Sequence, residues 1–187
     1  MVERIITAGQ AVLLQRGYEA TTTNHIAEAA GISPGSLYQY FPDKTAILDI
    51  VVDRYANDLE ARVSRAFLRA VGADPKAAVR TNLTDMLDAF EENPALLRVL
   101  VEQMPRSEDS RRATFARRVD DLMTTALLAH PSPGTDRPAD AIAWILVRTV
   151  EHVTTSYVLE RPPLDRDTVI DELTDLITGY LTRRPRP

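Results

Sequence analysis

The sequence predicts an all-α protein. Apolar residues recur at three- and four-residue spacing along nearly all of the chain, no stretch sustains the alternation of a strand, and glycine or proline falls where each helical stretch should stop. Nine helices follow from that pattern.

The first helix runs from about Val2 to Arg16, with Ile5, Ala8 and Val12 in one apolar line and Ile6 and Leu13 beside it. Gly17 stands where the residue after a helix end favours glycine. Thr22 can cap a second helix, which carries Ile26, Ala27 and Ala30 and stops at Gly31. Ser33 caps a third, with Pro34 in its first turn, ending near Phe41. That third helix is too short to stand alone and must be held by packing. Leu37 and Phe41, four apart, can dock on Ile26 and Ala30, which leaves Gly35, Ser36 and Gln39 facing away and Tyr38 and Tyr40 at the flanks.

A fourth helix starts at Asp43 or Lys44 and continues to about Val71, with Gly72 after it. Its length, about 40 Å at 1.5 Å per residue, suits a rod connecting two modules. Asp74 and Pro75 open a fifth helix to about Glu92, and Asn93 and Pro94 a sixth with Leu96, Leu97, Leu100 and Met104. Ser107 caps a seventh, to about Ala129. After a proline-rich loop comes the eighth, ADAIAWILVRTVEHVTTSYVLE, apolar on most sides and so expected to be largely buried. The ninth spans about Asp167 to Thr182, before a frayed RRPRP tail.

Composition narrows the function. The 187 residues include no cysteine, which excludes disulfides and thiolate metal sites, and the three histidines lie far apart. No apolar run approaches the roughly 18 residues of a membrane span, so a cytoplasmic protein is expected. A net charge of −5 argues against an indiscriminate nucleic-acid binder. No paired carboxylates, nucleophile–base pair or metal-ligand cluster stands out, so no cofactor and no enzyme is expected.

Residues 22 to 41 read as two helices joined by a tight glycine turn, a helix-turn-helix. The second helix fits a major groove about 12 Å wide. Gly35 and Ser36 add little bulk, so the backbone can come close to DNA. The hydroxyls of Tyr38 and Tyr40 can donate to phosphate oxygens, and Lys44 stands at the groove edge.

Over Gly17 to Lys44 the chain reads G-Y-x-x-T-T-x-x-x-I-A-x-x-A-G-I-S-x-G-x-L-Y-x-Y-F-x-x-K. This resembles the DNA-binding domain of TetR (tetracycline repressor-like) family transcriptional regulators, with Leu13 where many relatives carry phenylalanine and Thr23 where many carry valine. The resemblance implies a helix-turn-helix domain over residues 1–48, and a ligand-binding and dimerisation domain over residues 49–187. It also implies a homodimer that reads a palindromic operator in double-stranded DNA and is released by a small-molecule inducer. Thr22, Thr23, Tyr38, Tyr40 and Lys44 match phosphate-contacting positions. Asn24, Pro34, Gly35, Ser36 and Gln39 match positions that face bases, and the Gln39 amide can bond adenine bidentately. The eighth helix, with the ninth and its stripe of Ile170, Leu173, Leu176, Ile177 and Leu181, is expected to pair with its mates across the dimer. Rival readings are a constitutive DNA binder without an inducer, and a helical-bundle enzyme.

For an apolar or amphipathic effector, Met86, Phe90, Leu97, Leu100, Met104, Met123 and Trp144 are candidate lining residues. Arg148, Glu151, His152 and Thr155 on the eighth helix either form a polar network across the dimer interface or, Arg148 and His152 above all, line the ligand cavity. The run RSEDSRRATFARRVDD places Arg117 and Arg118 at helical spacing from Asp120 and Asp121, a solvated ion-paired face. Within residues 1–48, the cations Arg4, Arg16 and Lys44 stand against Glu3, Glu19, Glu28 and Asp43, a formal charge of −1. Neutral donors must therefore carry much of any phosphate contact.

Overall fold

Short polar side chains decide where the chain begins to coil. The computed structural model describes residues 1–70, 74–103, 111–129 and 137–182, without the side chains of residues 67, 68, 70, 103, 111–113 and 115. The expected ends at Gly72, cap at Ser107, loop over 130–136 and tail over 183–187 lie outside the described residues, as does Met104.

Helix α1 (Val2–Ala20) breaks at Gly17, whose φ of 77° only glycine adopts without strain, and adds one more turn before Thr21. Thr22 caps α2 (Thr23–Ala29), accepting the His25 N–H at 3.2 Å. Gly31, at φ 63°, closes α2 in a Schellman motif: its N–H reaches the Glu28 carbonyl and that of Ile32 reaches Ala27, both at 3.0 Å. Ser33 caps α3 (Pro34–Tyr38) by accepting the Ser36 N–H at 3.1 Å. Regular helix ends at Tyr38, three residues before the expected Phe41. Pro42 disfavours the helical backbone before it, and the amides of Tyr40 and Phe41 both turn back to the Leu37 carbonyl.

Asp43 starts α4 (Lys44–Ala70), and Asp74 starts α5 (Pro75–Glu92), each carboxylate accepting an N–H at 2.9 Å. The expected sixth helix is shorter. Regular α6 (Pro94–Arg98) gives way to a π turn over Val99–Gln103. Helices α7 (Arg111–Ala129) and α8 (Ala139–Glu160) follow. Asp165, two residues ahead of the expected start, caps α9 (Arg166–Thr182) by accepting the Thr168 N–H at 3.0 Å. No strand occurs among the described residues.

The helices pack as two units. The first contains Met1–Asp58 and Ala95–Pro105, the second Leu59–Pro94 and Arg106–Pro187, so α4 and α6 each contribute to both. In the first unit Ile5, Leu13, Ile26, Leu37, Ile47 and Val52 are fully buried. Leu37, Phe41, Ile26 and Ala30 are all buried, which is the bracing expected for α3. Glu3 and Arg54 tie α1 to α4 through a two-pronged ion pair at 2.7 and 2.8 Å, and Arg54 holds the Glu3 carboxyl below its ordinary pKa.

In the second unit α5 packs on α8 and α9, and α7 on α8. Leu87, Leu146 and Ile170 are its largest fully buried side chains on these helices. Ion pairs run along the α5–α9 seam: Lys76 to Asp175 at 2.6 Å, Arg80 to Asp171 at 2.9 Å, and Arg166 to Asp88 and Glu91. Helix α8, expected to be largely buried, is so only in part within the single chain. Ile142, Leu146 and Val158 are buried, but Trp144 is 57% and Ile145 41% exposed, so among the described residues part of the α8 surface is left open. In α9 Leu173 and Ile177 are buried, while Leu176 is half exposed.

Candidate nucleic-acid interface

The side of α3 that does not pack is small, polar and open. Pro34, Gly35, Tyr38, Gln39 and Tyr40 are exposed, and Ser36 is half-buried with its hydroxyl 2.9 Å from that of Ser33. A Cβ at Gly35 would meet only the Ser33 hydroxyl, at 3.9 Å. No neighbour in the unit therefore requires glycine there, whereas the close approach of an outside surface would. The two tyrosine rings stand clear of the core, at 53% and 46% exposure. The Tyr38 hydroxyl lies 3.0 Å from that of Thr23, which joins two of the expected phosphate-contacting residues across the α2–α3 turn. Thr22 and Asn24, on either side of Thr23, are exposed, though the Thr22 hydroxyl already caps α2.

Lys44 is not simply a groove-edge lysine. Its ammonium donates to the carbonyls of Tyr18 at 3.0 Å and Glu19 at 3.5 Å, and sits 4.9 Å from the centre of the Tyr18 ring. It is half-buried and holds the end of α1. An ammonium has three donors, so one remains for a phosphate.

The last four carbonyls of a helix lack partners within it. Here all four are taken. The Thr21 hydroxyl donates to Gly17 at 2.7 Å, the Thr21 N–H and Lys44 donate to Tyr18, Lys44 also donates to Glu19, and His25 Nδ1 lies 3.1 Å from the Ala20 oxygen. A carbonyl only accepts, so Nδ1 carries the proton. Sequence reasoning missed the roles of Thr21, His25 and Tyr18. Full burial of a threonine directly after a helix end is the mark of the first.

The expected effector-lining residues are distributed over both units. Phe90 is buried, and Met86 and Met123 are half-buried, in the second unit. Leu97 and Leu100 are buried in the first. Trp144 and His152 are exposed on α8. Arg148 is half-buried and donates to Asp120 of α7 at 3.0 Å, with Glu151 3.6 Å away, so Arg148 has acidic partners within its own chain. Thr155 is buried and donates to the Glu151 carbonyl. Burial raises the Asp120 carboxyl above its ordinary pKa, outweighing the attraction of Arg148. On the same helix, Arg118 pairs with Glu60 of α4 at 2.6 Å, a partner that spacing along α7 could not reveal. Among the described residues no group of histidines and carboxylates could hold a metal ion, and no helix is long and apolar enough to cross a membrane.

Comparison with known proteins agrees with this architecture. Residues 5–51 match the family described as bacterial regulatory proteins, tetR family, and residues 74–181 match the tetracyclin repressor-like C-terminal domain. The transcriptional repressor KstR of Mycobacterium tuberculosis is 28% identical over 141 residues, covering 72% of this chain and 61% of that protein. KstR of Mycolicibacterium smegmatis is 31% identical over 120 residues, covering 64% and 56%. The chain thus spans about six tenths of the length of these curated relatives. Among solved structures, the fatty acid degradation regulator FadR of Bacillus halodurans superposes with a TM-score of 0.70 at 18% identity, covering 98% of this chain and 97% of that one. FadR of Thermus thermophilus, solved with lauroyl-CoA, gives 0.66 at 22% identity, covering 100% and 98%. Family matches to the helix-turn-helix segment and to most of the remaining helices place both parts of the fold together: the chain belongs to the TetR family of bacterial regulatory proteins.

Proposed function

We propose that the protein is a transcriptional repressor that binds a palindromic operator as a homodimer and is released by an apolar or amphipathic small molecule. The observation that carries this reading is the outer face of α3. It is braced from behind by Leu37 and Phe41, and it presents Gly35, Ser36 and Gln39 between two exposed tyrosines. Phosphates would be met by Thr22, Thr23, Tyr38, Tyr40 and the spare donor of Lys44. Bases would be met by Asn24, Pro34, Gly35, Ser36 and Gln39. The family's KstR members are named repressors, and the structural relative solved with lauroyl-CoA supports an effector with a long apolar part.

Exposed Trp144 and Ile145 on α8 and Leu176 on α9 support a dimer formed through these two helices, since apolar surface left open on a single chain gains by pairing. Two α3 helices would then address half-sites about 34–36 Å apart, or a multiple of that. Effector binding would favour a body arrangement in which α4 carries the two heads to a spacing the operator does not match.

Selection from a random duplex pool tests the reading, with Gln39→Ala run beside the parent. The parent should enrich one palindrome. The variant should lose preference at one base pair per half-site, a change of about 1–3 kcal/mol. If no duplex is enriched by the parent, the proposal fails.

A further inference from the structure

Helix α8 ends on a strained residue. Arg161 has φ 50° and ψ 58°, the left-handed conformation, and is the one described non-glycine residue with positive φ. Its N–H still caps the helix by donating to the Tyr157 carbonyl at 3.1 Å. Glycine would make that cap without strain. An arginine held in such a conformation directs attention to what its side chain does.

Arg161 lines a groove of about 340 Å³ in the second unit, together with Glu91, Pro94, Tyr157, Val158 and Pro162. The volume lies at the lower end of the range for small-molecule sites. Two proline rings, a valine and the Tyr157 ring give it apolar walls. The Tyr157 hydroxyl donates to the Leu164 carbonyl at 3.3 Å, which ties that wall to the α8–α9 turn. Of the two charges in the groove, Glu91 is already engaged by Arg166 at 3.2 Å. The Arg161 guanidinium has neither an ion pair nor a side-chain hydrogen bond among the described residues. One uncommitted cation beside apolar walls complements an anion attached to an apolar body. A single negative charge fits better than two, because Glu91 stays in the same groove. A guanidinium also matches the two oxygens of a carboxylate in a fork.

We propose that this groove binds a small carboxylate amphiphile, with the carboxylate on Arg161 and the apolar part against Pro94, Tyr157, Val158 and Pro162. Pro94 is the last residue of the second unit before the chain passes at Ala95 into the unit that carries α3. That occupancy alters operator affinity rests on the repressor function proposed above; the binding itself does not.

The test is calorimetric titration of the DNA-free chain with sodium octanoate, octan-1-ol and octylammonium chloride, for the parent and for Arg161→Gly. Octanoate should bind the parent saturably in the millimolar range, and the alcohol and the amine at least tenfold more weakly. Arg161→Gly should lose at least tenfold in octanoate affinity. Its melting temperature should be no lower than the parent's, since glycine relieves the left-handed backbone, so lost binding cannot be put down to lost folding. Equal octanoate affinity in parent and variant, equal affinity for octanoate and octanol, or no octanoate binding by the parent would each overturn the assignment. Binding of octanoate through Arg161 by a protein that enriches no duplex would overturn the repressor reading and leave the groove assignment standing.

Discussion

Lys44 shows how much one side chain can be asked to do. Its ammonium closes two carbonyls at the end of α1 and keeps a donor for the nucleic acid. Lys44→Met should therefore destabilise the fold by about 1.5–3 kcal/mol in urea unfolding, the range for hydrogen bonds to charged groups. It should also reduce the salt slope of operator binding by about one unit per head. A variant as stable as the parent would show that the carbonyl contacts contribute nothing. Asp120 makes the opposite electrostatic case. Its carboxyl is raised by burial despite Arg148, so the folded value lies above the unfolded one. Through that window the native state holds more protons, and stability at this site falls as pH rises above the ordinary carboxylate value of about 3.9. In Asp120→Asn that dependence disappears. Unfolding curves for parent and variant should differ increasingly in the variant's favour as pH rises above about 4, and parallel pH profiles would contradict this. Spacing along the sequence named both residues, but it could not show that one is anchored to α1 and the other partly shielded from water.

At the scale of elements, the head depends on how closely α1 approaches α4. A Cβ at Gly9 would fall 2.7 Å from the Ile47 Cγ2 methyl. Ile47 is fully buried, and that methyl branches directly from its Cβ, so it cannot swing away without backbone movement. Gly9→Ala should cost about 1–3 kcal/mol through overpacking and lower the calorimetric melting temperature. An unchanged melting temperature would mean that the two helices can part freely. The helix starts were readable because caps are local: Thr22, Ser33, Asp43 and Asp74 each bond an amide within three residues. Helix ends were less readable. The stop of α3 at Tyr38 depends on Pro42, and the π turn after Arg98 has no sequence mark comparable to a cap.

For the whole molecule, charge sets the expected manner of DNA binding. Residues 1–48 carry a formal charge of −1, and Lys44 is already engaged by backbone carbonyls. Few cations remain to displace counterions, so a plot of log K for operator binding against log salt should have a slope well below about 10 in magnitude. Filter binding over a salt series measures it, and a slope near −10 would refute the expectation. The sequence by itself determined the all-α class, the helix order, the helix-turn-helix and the residues on its outer face. These follow from spacings of three and four residues and from caps that act over one turn. Tertiary structure alone decided that Lys44 serves a carbonyl 26 residues away, that Arg118 pairs with Glu60, that part of the α8 surface stays open, and that Arg161 stands over an apolar groove. The reason is that each of these outcomes depends on which helices come to lie side by side, and the spacing of residues along one helix carries no record of its neighbours.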